Sequence, residues 1–98
     1  MQRKVALTGQ ARDDLDAIWN YTAEQYGADA TDEYVRSFNE IFAHLGEFSH
    51  IGAPVKGLRP ASRSIRHRHY RLYYRMIDDA VEVLTIVHGA RDVSQLLG

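Results

Sequence analysis

KGLRPASRSIRHRHYRLYYR, the twenty residues from Lys56 to Arg75, contains six arginines and one lysine and no acidic side chain. His67 and His69 lie among the cations, and Tyr70, Tyr73 and Tyr74 are interleaved with them. The second half alternates as a strand does: Leu72, Tyr74 and Met76 share one face, and Arg71, Tyr73 and Arg75 share the other. A half-buried strand with arginines on its open face can meet something negative, and guanidinium forks suit carboxylate and phosphate. The plainer reading is a solvated strand face that keeps a sheet soluble. Either way the stretch predicts a sheet with one face covered and one face cationic.

The flanking sequence says what covers it. Lys4 to Leu7 reads as a first strand, and Thr8 offers a hydroxyl N-cap. A helix follows from about Gly9 to Tyr26, with Ala11, Leu15, Ile18, Trp19, Thr22 and Tyr26 as its stripe. Asp13 and Asp14 lie near its start, where negative charge complements the helix dipole. Gly27 permits the helix end. A second helix runs from about Ala28 to Gly46–Phe48, its stripe being Ala30, Tyr34, Phe38, Ile41, Phe42, Leu45 and Phe48. The short connection makes the two an antiparallel hairpin, with Trp19, Phe38 and Phe42 read as core.

Ser49 to Pro60, with Gly52, Pro54, Gly57 and Pro60, reads as loop. Three strands follow, at about Ser62–His67, His69–Ile77 and Ala80–His88. Turns fall near Arg68 and at Asp78-Asp79. The last strand is apolar on both faces and belongs inside the sheet. The order β-α-α-β-β-β gives a single two-layer α+β domain over residues 1–98, a helical hairpin on one face of a mostly antiparallel sheet.

Composition removes several functions. There is no cysteine, so disulfides and thiolate metal sites are out. No apolar run reaches membrane-spanning length, and the start does not read as a signal peptide, so a cytoplasmic protein is expected. The net charge of −1 hides an asymmetry: residues 1–54 hold four basic and nine acidic side chains, residues 55–98 eight basic and four acidic. No nucleophile elbow or phosphate-binding glycine loop is present, and no cofactor is expected. His67-x-His69 has no third ligand for a metal. A metal-free ribonuclease set is conceivable: His67, His69 or His88 as acid or base, with Arg66, Arg68 and Arg75 as cations and tyrosines to stack bases. His88, at the end of an apolar strand, reads as a hydrogen-bonded structural histidine more readily than as a catalyst.

Several segments resemble the ParE branch of the ParE/RelE toxin superfamily. They are Leu7-Thr8, Ala11, Asp13-Asp14-Leu15, Ile18-Trp19 and Tyr21; Tyr34, Phe38, Ile41 and Leu45; and Gly52, Pro54 and Leu58-Arg59. Arg63-Ser64, His67 and Tyr70 to Arg75 follow, and Val83 to Asp92 completes the likeness, which spans nearly the whole chain. The resemblance implies the toxin of a bacterial type II toxin–antitoxin pair, with the first strand beside the last. ParE-like toxins poison DNA gyrase; RelE-like relatives cut mRNA on the ribosome.

The sparse lysines and the tail His88-Gly89-Ala90-Arg91-Asp92, without a tyrosine, are more ParE-like. The expectation is therefore a gyrase inhibitor that acts by binding, with Arg59, Arg66, Arg71, Arg75 and Arg91 as its target surface. A ParD-like antitoxin would contact Leu15, Trp19, Tyr34, Phe38, Arg71 and Tyr73 in a hetero-oligomer. The toxin alone would not bind DNA sequence-specifically. The alternatives are a ribosome-dependent mRNA nuclease using His88, Arg66 and Arg75, and a degenerate, non-toxic antitoxin binder.

Overall fold

Thr8 sets the first corner of the fold. Its hydroxyl accepts the Ala11 amide at 3.1 Å as a helix N-cap and donates to the Leu84 carbonyl at 2.7 Å. One side chain thus starts a helix and fastens that start to a distant strand. In the computed structural model, which describes residues 2–57 and 61–89, the elements are β1 (Lys4–Leu7), α1 (Gly9–Tyr26) and α2 (Ala28–Glu47). After them come β2 (Ala53–Val55), β3 (Ser62–His67), β4 (Tyr70–Ile77) and β5 (Ala80–His88). Gly27 turns the chain between the helices at φ 85°, a conformation that glycine adopts without a Cβ penalty. Its carbonyl accepts from both the amide and the hydroxyl of Thr31.

The sheet order is β1-β5-β4-β3-β2, with β1 parallel to β5 and the other pairs antiparallel. The interior place of β5 and the adjacency of first and last strands match the expectation. The described residues hold one strand more than the sequence reading gave. Ala53–Val55 pairs with Ser62–Ser64 as a three-residue edge strand. Pro54 suits only such an edge, since it has no amide to give a ladder.

The hairpin covers one face. Ala11, Ile18, Phe38, Leu45, Leu72, Tyr74, Val81, Val83 and Ile86 form its buried core, each 5% exposed or less. Tyr74 also pins the loop before β2: its hydroxyl accepts the Gly52 amide at 2.9 Å and donates to the Ser49 carbonyl at 2.8 Å. A Cβ on Gly52 would lie 2.6 Å from that hydroxyl, so only glycine fits there.

Three sequence expectations need correcting. Trp19 is 38% exposed and lies outside the core, and Tyr26 and Phe48 are more exposed still, at 72% and 52%. The apolar stripes run wider than the faces that the sheet covers. Asp14 does more than complement a helix dipole: its Oδ2 accepts from the Thr85 hydroxyl and from the Ile86 amide. These contacts hold a β-bulge, where Tyr73 pairs with Thr85 but Tyr74 with Val83, leaving Leu84 as the extra residue. The bulge reverses the inward parity of β5: Val81 and Val83 face the core before it, Ile86 after it.

Candidate functional site: the cationic end of the sheet

Alternation along β3 and β4 puts Ser64, Arg66, Arg71, Tyr73 and Arg75 on the face away from the helices. Arg66 and Arg71 are direct cross-strand partners. Two guanidinium groups fixed side by side repel, so the arrangement costs folding energy. Each is tethered by one neutral acceptor: Arg66 Nε donates to the Arg68 carbonyl at 3.1 Å, and an Arg71 guanidinium nitrogen to Ser64 Oγ at 3.2 Å. Arg75 differs. It is salt-bridged at 2.9 Å to Glu82 on β5, the single ion pair among the described residues. Tyr73 is 8% exposed and packs with Val87 and Val55, an apolar strip beside the arginines.

At the β3–β4 turn the two faces of the sheet meet. Arg68 holds a left-handed backbone, φ 58°, which is unusual for a side chain of its size. Its guanidinium carbon lies 5.7 Å from the centre of the Tyr34 ring on α2. His67 points to the helix side. Ser37 donates its hydroxyl to the Tyr34 carbonyl, so its oxygen accepts the Nε2 proton of His67 at 2.8 Å, which fixes the tautomer. The imidazole also stands edge-on to Phe38, with ring centres 4.7 Å apart. Burial, and then the Arg68 charge, hold its pKa below the ordinary histidine value. His67 is a packing residue, and no set of three His, Asp or Glu residues placed to hold a metal occurs among the described residues.

Two cavities share this end. Tyr21, Tyr26, Tyr34, Tyr70, His69 and His88, with Thr22 and Ala30, line a groove of about 760 Å³. Arg66, Arg71, His69, His88 and Gly89 line a recess of about 280 Å³. The Gly89 amide donates to the His69 carbonyl at 2.9 Å, which joins the end of β5 to the turn.

The expected target-binding residues are therefore divided. Arg66 and Arg71 stand together, Arg75 sits farther up β4 against Glu82, and Arg59 and Arg91 lie outside the described residues. The expected antitoxin contacts divide as well. Leu15 and Tyr34 are half-buried and Trp19 is exposed on the helical side, while Arg71 and Tyr73 lie across the sheet. Phe38 is fully buried and offers a partner no surface, which corrects its place in that set. Sequence reasoning missed Glu82 as the partner of Arg75 and Ser37 as the partner of His67. Both are cross-element pairs, visible only once the register is known.

The same architecture occurs in known toxins. A chain of the chromosomal ParDE toxin–antitoxin system of P. aeruginosa superposes with a TM-score of 0.76 at 20% identity, over 89% of this chain and 96% of that one. A chain of the RelBE2 toxin–antitoxin complex of Mycobacterium tuberculosis superposes at 0.68 with 25% identity, over 90% and 99%. The fold is thus that of the ParE and RelE toxins.

Residues 5–93 match the ParE toxin of type II toxin–antitoxin systems, parDE, and the chain belongs to that family. Among curated relatives, Toxin ParE1 of Caulobacter vibrioides is 26% identical over 92 residues, covering 94% of this chain and 95% of its own. Toxin ParE1 of Mycobacterium tuberculosis is 24% identical over 98 residues, covering 99% and 100%.

Proposed function

We propose that this chain is a toxin that inhibits DNA gyrase by binding it, acts in the cytoplasm, and is neutralised by a ParD-like antitoxin. One observation carries the choice of binding over bond-breaking. A nuclease built on His88, Arg66 and Arg75 needs those groups around one phosphate. His88 pairs with Tyr70, and Arg75 lies five residues farther along β4, roughly 17 Å at strand rise. Glu82 moreover already neutralises Arg75. Among the described residues, what remains free of carboxylates at the sheet end is the Arg66–Arg71 pair, a recognition surface more than an acid–base set.

The antitoxin reading draws support from the two superposed structures, one from a ParDE toxin–antitoxin system and one from a RelBE2 toxin–antitoxin complex. A partner that reaches both Trp19 and Arg71 must pass around an edge of the sheet, which an extended segment can do. Arg66 and Arg71 would then be met by its carboxylates.

The test is a supercoiling assay with purified gyrase. The expected result is loss of supercoiling with accumulation of cleaved DNA, weakened by Arg66→Gln. Unimpaired supercoiling at saturating toxin overturns the proposal. Message cut in toeprints on translating ribosomes would move the activity to the nuclease class. For the antitoxin, the product of the adjacent gene should co-elute with the toxin in size-exclusion chromatography, and separate elution refutes that part.

A further inference from the structure

The tyrosine groove and the arginine recess are two halves of one cavity system, because His69 and His88 line both. One half offers flat aromatic faces, with Tyr26 72% and Tyr21 59% exposed. The other offers two guanidinium groups that repel each other and have no carboxylate partner among the described residues. Exposed tyrosines stack planar rings whatever their sequence context. Paired guanidinium groups, each with N–H donors left beyond its one tether, match a doubly charged phosphoryl group, which relieves their repulsion at a single point. A single peptide carboxylate would occupy one fork and leave the other charge uncompensated, so an acidic segment must bring two to do what one phosphoryl group does. The groove volume of about 760 Å³ lies within the range of small-molecule sites.

We propose that this end of the sheet binds a nucleoside phosphate. Its base stacks in the groove against Tyr26 and Tyr70, and its phosphoryl group lies between Arg66 and Arg71, passing His69 and His88 at the junction. The left-handed Arg68 is held over Tyr34 at the groove wall, where it is placed to swing from that ring onto a bound base. No bond is made or broken in this proposal, and it does not depend on gyrase being the target. The same chemistry is offered by a free nucleotide and by the 5′-phosphorylated end of a nucleic acid strand.

The experiment is calorimetric titration of the full chain with adenosine 5′-monophosphate, adenosine, inorganic phosphate, a 5′-phosphorylated tetranucleotide and an acidic Glu-Tyr-Glu peptide. The monophosphate should bind at least tenfold more tightly than either adenosine or phosphate alone. Arg66→Gln should reduce monophosphate binding about tenfold and leave adenosine unchanged. Tyr26→Ala should weaken monophosphate and adenosine and leave phosphate unchanged. Both side chains are exposed, and circular dichroism confirms that the variants fold. Tighter binding of the tetranucleotide than of the monophosphate assigns the site to a strand end, and equal or weaker binding to a free nucleotide. Phosphate binding as tightly as the monophosphate, indifference to Tyr26→Ala, or preference for the acidic peptide would each overturn the proposal.

Discussion

Replacing Arg66 by threonine should make this protein more stable while weakening what it binds. Arg66 and Arg71 are cross-strand partners, and neither is paired with an acid among the described residues. Two unit charges about 6 Å apart repel by roughly 0.7 kcal/mol in water and about twice that at an effective dielectric of about 40, suited to an exposed pair between water and the protein surface. Screening at physiological ionic strength removes about half, leaving roughly 0.3–0.7 kcal/mol. Threonine adds some tenths of a kcal/mol of strand preference. The lost bond from Arg66 to the Arg68 carbonyl is exposed and offsets little of this. The net expectation is a gain of about 0.5–1 kcal/mol, or about 3–6 °C in Tm for a domain of this size. Urea titrations at low salt and in 1 M NaCl measure it, and the gain should shrink by about half at high salt. A loss of stability above about 0.5 kcal/mol, or a gain indifferent to salt, would refute the claim that the pair is held against its own repulsion.

The remaining expectations concern the frame behind that pair. Tyr74→Phe leaves the buried Gly52 amide and the Ser49 carbonyl without their partner. It should cost about 2–4 kcal/mol in urea titration, and a cost under about 0.5 kcal/mol would show that the loop is held otherwise. Burial and Arg68 depress the pKa of His67 in the folded state, so the unfolded chain binds its proton more readily. Stability from this group is complete above the ordinary histidine range and falls as pH drops through and below it. His67→Gln should flatten the midpoint difference between pH 7.5 and pH 5, and an unchanged difference argues against it. Gly46→Ala puts a Cβ 2.7 Å from the Arg3 carbonyl oxygen. It should cost over about 1 kcal/mol and loosen the start of β1, seen as faster amide exchange there.

How far the amino-acid string discloses this arrangement varies from part to part. Both helices are legible at their ends because Thr8 and Gly27 are strong local signals. Their inward faces are less so: periodicity marks an apolar stripe but not how much of it a narrow sheet covers, and Trp19 and Tyr26 fall beyond the covered width. Strand β2 is hidden because three residues that include Pro54 carry no period. The bulge at Leu84 is hidden for the opposite reason. In an uninterrupted apolar run a change of parity leaves no polar residue out of place. The cationic face is legible as a composition, but which arginine is free depends on register: Arg75 meets Glu82 and Arg66 meets Arg71.

Strand β1 joins the sheet only through β5, the last strand to leave the ribosome. The opening segment must therefore wait, unpaired, until residues 80–83 have been synthesised, and such distant pairing slows folding. The bonds that fasten α1 to the sheet wait with it, since Thr8 donates to Leu84 and Asp14 Oδ2 accepts from Thr85 and Ile86, all on β5. A chain cut short before residue 80 would hold the cationic strands but lack the edge that orders them. Without β5 the start of α1 has neither the Leu84 carbonyl nor the Thr85 and Ile86 donors to rest on, so the cationic strands gain their ordered frame only once residues 80–88 have been made.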